Sequence, residues 1–271
     1  MHNPSKTEGY REGIIIYTWF SQALQQEYDL VRRMKESPRG HVDLIRHKKS
    51  GQLFVLRDFF GNCEVYRKLL HYTCPHLPTV YEVAEGNEKN LVLEEYIQGD
   101  TLGFLLEESL FSPEETKKIV AQVCQALWAL HSLGAVHRDV KPENIILRGD
   151  TAVLIDFDAA RLHKPQADND THILGTTGFA APEQYGLSQS GPLADIYSVG
   201  ILINVMRTGE HPSKKLAEGH LGRVVEKCTH VNPQRRYKKD VYKRQALSRA
   251  LSRISPCFSP VSWHSFTKRA Q

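Results

Sequence analysis

From Tyr28 onward the chain breaks into short apolar runs of β character, at Leu30–Met34, Val42–Arg46, Leu53–Arg57, Val80–Val83 and Leu91–Glu95. Each run is closed by Gly, Ser, Pro or charged residues, the punctuation that separates strands. Within Cys63–His71 the apolar residues Val65, Leu69 and Leu70 fall instead at helical spacing. This half predicts a mostly antiparallel sheet carrying one helix. Ahead of it, residues 1–26 show no periodicity apart from the apolar run Gly13–Phe20 and read as an N-terminal extension. That run is far shorter than the roughly 20 residues a membrane-spanning helix needs, so no membrane segment is expected in this chain.

The pattern changes at Ser112-Pro113-Glu114-Glu115, where a serine N-cap, a proline at the first helical position and a glutamate three residues on make a capping box. Ile119, Val120, Val123, Cys124, Leu127 and Leu130 then share one face to about Ser132, and Gly134 ends the helix. Two short strands are predicted at Ile145–Leu147 and Ala152–Ile155, and two more helices at Leu193–Thr208 and Leu221–Thr229. Between them, residues 156–183 are irregular over a longer stretch than loops without a role usually have. From about Asp240 the order gives way to Ser, Arg and Lys. The run Asp240–Gln245 resembles translated sequencing-adapter DNA, and residues 241–271 are read as a C-terminal tail without assigned function.

Composition narrows the classes. With 41% hydrophobic and 24% charged residues, the 271-residue chain has the make-up of an ordinary globular protein. A net charge of +4, spread along the chain, gives no single-sign field of the kind nucleic acid would select. The five cysteines are odd in number and lack CxxC spacing, so reduced thiols and a cytoplasmic setting are expected rather than a disulfide framework or a zinc site.

The informative block is His137-Arg138-Asp139-Val140-Lys141-Pro142-Glu143-Asn144, followed by Asp156-Phe157-Asp158. Phosphoryl transfer needs a carboxylate to orient the attacking hydroxyl and oxygen ligands to hold magnesium on the phosphates. Asp139 suits the first task, with Lys141 placed to offset developing charge. Asn144 and Asp156, on the two arms of a short hairpin, suit the second.

These residues resemble the eukaryotic-type Ser/Thr protein kinases in their compact bacterial form. HRDVKPEN matches the family's catalytic loop, Asp156-Phe157 its magnesium motif and Ala181-Pro182-Glu183 the end of its activation segment. The resemblance extends to Asp195–Gly200 and Asn232–Arg236, and it covers about residues 28–240. It implies an α+β, bilobal fold over 27–240: a small β-sheet lobe with one helix (27–95), a hinge (95–100) and a larger, mainly helical lobe (101–240). It implies ATP with Mg²⁺ or Mn²⁺ as cofactors and a protein Ser/Thr hydroxyl as acceptor. Asp139, Lys141 and Asn144 become the catalytic residues, and Asn144 and Asp156 the metal ligands. His137 and Phe157 become packing residues, Glu183 and Arg236 a buried ion pair, and Asp195 a brace for the catalytic loop. Arg138 goes in this family with activation by phosphorylation of the following loop, for which Thr171 and Thr176 are the candidates. Thr176 also matches a threonine that braces the catalytic aspartate, which favours Thr171.

The small lobe departs from the family pattern. The glycine-rich loop corresponds to Lys35–Val42, where only Gly40 and Val42 remain of G-x-G-x-x-G-x-V. Arg57 stands where the resemblance implies a lysine on the α and β phosphates, and guanidinium and ammonium are not equivalent there. Glu64 is the candidate for the helix glutamate that pairs with this cation. The backbone of Glu95 and Ile97 would contact adenine at a hinge that includes Gly99, with Glu94 at the gatekeeper position, and Asp158 replaces the motif's glycine. ATP-binding residues are thus expected at Gly40, Val42, Arg57, Glu64, Glu95 and Ile97. Two readings compete with an active Ser/Thr kinase: a pseudokinase that binds nucleotide or serves as a scaffold, and a small-molecule kinase of related fold.

Overall fold

A computed structural model of the chain describes residues 17–87, 89–163, 176–185 and 191–238. Each predicted strand of the first half is present and longer than its apolar run. They are β1 (Tyr28–Ser37), β2 (Gly40–His47), β3 (Leu53–Phe60), β4 (Val80–Glu85) and β5 (Lys89–Glu95). The sheet runs β1-β2-β3-β5-β4 with every neighbouring pair antiparallel. At its edge β1 is exposed along nearly its whole length and slips register against β2 twice, which bends and twists an unprotected strand.

Successive strand residues point to opposite faces, and β5 divides accordingly. Leu91 and Leu93 join Ile45 and Phe54 in one apolar layer, while Val92 packs into the larger core on the other side. The first layer is covered by helix α1, over 17–27, through Phe20 and Leu24. Sequence patterning read this region as an extension ahead of a one-helix lobe. The short helix earns its place by capping apolar sheet surface, a tertiary gain that a window of periodicity does not register. The second helix of the lobe, α2 (Glu64–Leu69), is shorter than the predicted Cys63–His71. It buries Val65, Tyr66 and Leu69 against the opposite face.

The larger lobe holds α3 (Leu102–Glu108), α4 (Pro113–Ser132), α5 (Pro192–Thr208) and α6 (Gly219–Cys228). The predicted capping box is formed at α4: Glu115 N–H donates to Ser112 Oγ at 3.2 Å, and Ser112 N–H to Glu115 Oε2 at 2.8 Å. Two small sheets complete the lobe, one of β6 (Asp100–Thr101), β8 (Ile145–Arg148) and β9 (Thr151–Leu154), the other of β7 (Ala135–Val136) and β10 (Arg161–Leu162). Among the described residues no helix is long and apolar enough to cross a membrane.

The lobes join where β5 gives way to β6. Gly99 has φ +154° there, and a Cβ would stand 2.1 Å from the Leu147 carbonyl oxygen, so only glycine lets the link press against β8. Glu95 clamps the same corner, accepting from Arg148 at 2.6 Å and from Thr79 N–H at 3.1 Å.

Far from this link, Arg236 forks onto Glu183, with Nη1 to Oε1 at 2.6 Å and Nη2 to Oε2 at 2.8 Å, both residues buried. Its remaining donors reach the carbonyls of His230, Leu193 and Val231. A buried pair satisfied this fully is costly to break from one side. Arg236→Met should therefore lose about 3–5 kcal/mol of stability, read as a lower urea midpoint for unfolding.

Candidate active site

The residues that sequence patterning singled out for chemistry lie where β7 and the β8–β9 hairpin of the large lobe face the small sheet. After β7 the chain enters Arg138 with φ +70°, and Asp156 after β9 has φ +67°. Both are sparsely populated conformations for residues with side chains, and such backbone persists only where its surroundings dictate it. Asp195 dictates the first. This carboxylate of α5 is fully buried and accepts from His137 N–H at 3.0 Å, Arg138 N–H at 2.8 Å and His131 Nε2 at 2.7 Å. His137 ties the two segments together, its Nε2–H donating to Ile155 O at 3.2 Å and its Nδ1 accepting Asp139 N–H at 3.3 Å. Burial lowers its pKa, so the ring is the neutral tautomer these two bonds require.

Asp139 sits in a cradle of donors. Thr176 gives it both its hydroxyl, 2.7 Å from Oδ1, and its amide, 3.1 Å away. Lys141 Nζ stands 2.9 Å from Oδ2, and Asn144 Nδ2 donates to Oδ2 at 2.9 Å and to Asp139 O at 2.8 Å. Burial opposes ionisation, but the bonds from Lys141 and Thr176 outweigh it, and the carboxyl is held below its usual range. The amide nitrogen of Asn144 is thus committed to Asp139, which leaves its oxygen as the atom suited to a hard cation. Ile155 N–H donates to Asn144 O at 2.8 Å, and Asp156 follows directly in the chain. Asp139, Lys141, Asn144 and Asp156 are therefore brought together.

The small sheet contributes one row of residues. Lys35, Val42, Arg57 and Val92 stand opposite one another across β1, β2, β3 and β5. From this row Arg57 Nη1 reaches Asp156 Oδ1 and Asp158 Oδ1, each at 3.2 Å, and Lys35 Nζ reaches Asp156 Oδ2 at 3.1 Å and Asp158 Oδ2 at 3.2 Å. Burial works against the charge on Asp156, and the fields of Arg57 and Lys35 override it, holding the carboxyl well below the ordinary range. A column of rings runs alongside, from Phe59 to Tyr66 at 5.6 Å, to Phe157 at 5.8 Å and to His137 at 5.6 Å between centroids. Phe157 is placed by ring packing, and His137 by packing together with the hydrogen bonds above.

Several expected residues stand elsewhere or act otherwise. Glu64 does not meet Arg57. It lies at the start of α2 and accepts from Asn62 Nδ2 at 2.9 Å, whereas Arg57 Nε donates to Glu94 Oε1 at 2.7 Å. Gly40 is explained by β3, since a Cβ there would lie 2.0 Å from Asp58 O. Val42 lies in the charged row, and Ile97 is buried in the link between β5 and β6, while the Glu95 side chain is spent on Arg148 and Thr79. The Thr176 hydroxyl is occupied by Asp139 and by Lys141 Nζ at 2.6 Å. A phosphoryl group there would set a dianion against a carboxylate, so the geometry suits Thr176 to bracing Asp139. Thr171 lies outside the described residues. Sequence reasoning missed Gln184, which is fully buried, donates to Arg138 O at 2.8 Å and accepts Ala181 N–H at 3.0 Å. It also missed Lys35, whose place depends on a strand register that no local motif announces, and Tyr66, whose ring reaches Arg57 from α2.

The Asp195 bonds carry a pH signature. Burial raises this carboxyl, but the bonds from His131 and the Arg138 amide lower it further, so the folded pKa lies below the ordinary value of about 3.9. A depressed carboxylate stabilises the fold above its unfolded pKa, and that contribution is lost as pH falls through the folded value. Asp195→Asn should therefore be less stable than the parent near neutrality, with the gap closing below about pH 4; thermal melts of both proteins across pH check this.

The chain is 36% identical over 141 residues to the probable serine/threonine-protein kinase pknA2 of Bifidobacterium longum, covering 51% of this chain and 19% of that protein. It is 31% identical over 160 residues to the serine/threonine-protein kinase PknA of a Nostoc species, 55% of this chain and 28% of that one. With the serine/threonine-protein kinase PknL of Mycobacterium tuberculosis it shares 36% over 139 residues, 50% of this chain and 35% of the relative. The matched part is thus about a fifth to a third of the length of these relatives. The protein kinase domain matches residues 44–257, and this chain belongs to the protein kinase domain family.

Proposed function

We propose that this domain transfers the γ-phosphoryl group of ATP to a serine or threonine hydroxyl of a protein. The observation that carries the reading is the cradle around Asp139. Thr176, Lys141 and Asn144 hold an ionised carboxylate in one orientation, the state needed to accept a proton from an attacking hydroxyl. The acceptor oxygen bonds to the γ-phosphorus as its proton passes to Asp139, the bond from that phosphorus to the β–γ bridging oxygen breaks, and ADP leaves. Lys141, beside the same carboxylate, offsets charge on the transferred group. Lysine two residues after the aspartate and the Ala181-Pro182-Glu183 segment support a polypeptide acceptor over a small molecule.

Asn144 and Asp156 would hold the divalent ion, Mg²⁺ or Mn²⁺, and their hard oxygens suit either. When bound, the ion supplies charge neutralisation on the phosphate oxygens. Arg57 would contact the phosphates, and the backbone around Glu95 and Ile97 would receive adenine. The names of the relatives support a protein-directed Ser/Thr specificity.

Purified protein incubated with γ-labelled ATP, Mg²⁺ or Mn²⁺ and a generic basic protein should label that protein, and Asp139→Asn should not. Nucleotide-dependent thermal stabilisation without label would move the protein to the pseudokinase reading. Asp156→Asn should abolish metal-dependent transfer, and equal activity in that variant would remove Asp156 from the metal site.

A further inference from the structure

We propose that Glu94 on β5, and no acid on α2, is the positioning residue for the phosphate-binding cation Arg57; this rests on the role given to Arg57 above. On β3 and β5, Arg57 is opposite Val92 and Val55 is opposite Glu94. Residues two apart on a strand share a face, so Arg57 and Glu94 are diagonal neighbours on the side that meets Asp156. Diagonal pairs in an antiparallel sheet are within reach when the side chains are long. Arg57 Nε accordingly donates to Glu94 Oε1 at 2.7 Å, with the two residues 5% and 3% exposed.

Burial raises the Glu94 carboxyl above its ordinary range, outweighing the pull of Arg57. Arg57, which also meets Asp156 and Asp158, does not release its proton and is the donor in the bond to Glu94. Helix α2 brings a ring to this cation instead of a charge, the Tyr66 centroid lying 5.9 Å from Arg57 Cζ. Its one first-turn acid, Glu64, is bonded to Asn62. The carboxylate orienting Arg57 is therefore fixed by hydrogen-bonded strands, and the cation keeps its aim whatever small shift α2 makes.

A double-mutant cycle on ATP-dependent phosphorylation of a generic basic protein tests this, using Glu94→Gln, Arg57→Met and the double variant. Glutamine keeps the shape and an acceptor oxygen and removes the acid. Thermal melts establish that each variant is folded. Glu94→Gln should lower kcat/KM for ATP by up to about a hundredfold while leaving KM for the protein substrate unchanged. A residue acting through Arg57 has nothing left to do once Arg57 is gone, so the double variant should be no worse than Arg57→Met alone. Losses that multiply in the double variant, or full activity in Glu94→Gln beside an impaired Arg57→Met, would overturn the inference. An equal loss in Glu64→Gln would return the role to α2. Full activity in Arg57→Met would instead overturn the phosphate role of Arg57 itself, which separates failure of that reading from failure of this one.

Discussion

A guanidinium at 5% exposure is tolerable only among anions, and Arg57 has three: Glu94 from its own sheet, and Asp156 and Asp158 from the other lobe. Removing charges from water costs several kcal/mol per ion, and good geometry with additional partners is what offsets it. The arrangement makes the cleft a joint as well as a site, because the same cation satisfies a strand of one lobe and the loop after β9 of the other. Lys35 repeats the link from the edge of the sheet at a more exposed position, where screening leaves each pair worth less.

On the large-lobe side the supports are polar bonds to the backbone. Asp195 collects two consecutive amides of the segment that carries Asp139, and Gln184 holds the carbonyl of Arg138. Between them they over-determine a residue at φ +70°. Strained backbone is tolerated here because its amides and the Arg138 carbonyl have partners of fixed direction. The ring column from Phe59 to His137 then carries apolar packing across the same boundary.

Much of this was legible in the sequence, for reasons that differ by element. The capping box of α4 and the helical spacing behind it are local and survive folding unchanged. The cluster of Asp139, Lys141, Asn144 and Asp156 was legible because a loop and a hairpin close in sequence bring them together. Helix α1 was not, since its merit lies in covering Phe54, Leu91 and Leu93, residues distant along the chain. The partner of Arg57 was misjudged for a related reason. Glu64 is near in sequence and on a helix, whereas Glu94 becomes a neighbour only once β3 and β5 are paired in register. At Gly40 the carbonyl of Asp58 by itself requires glycine, a constraint that only strand pairing reveals.

Thr176 is the point at which the segment ending in Ala181-Pro182-Glu183 touches Asp139, and it does so twice, through amide and hydroxyl on a single oxygen. Its hydroxyl also accepts from Lys141, so one small side chain is a common mooring for the acid and the base of the pair. Any pull on the chain at residue 176 is transmitted to both charges at once, with no slack between them. The far end of that segment is tied down as well, by Ser198 Oγ on Phe179 O at 2.8 Å and by the Glu183–Arg236 fork. Moored at both ends, this strip of polypeptide cannot shift at residue 176 without disturbing the two bonds that hold the Asp139 carboxylate.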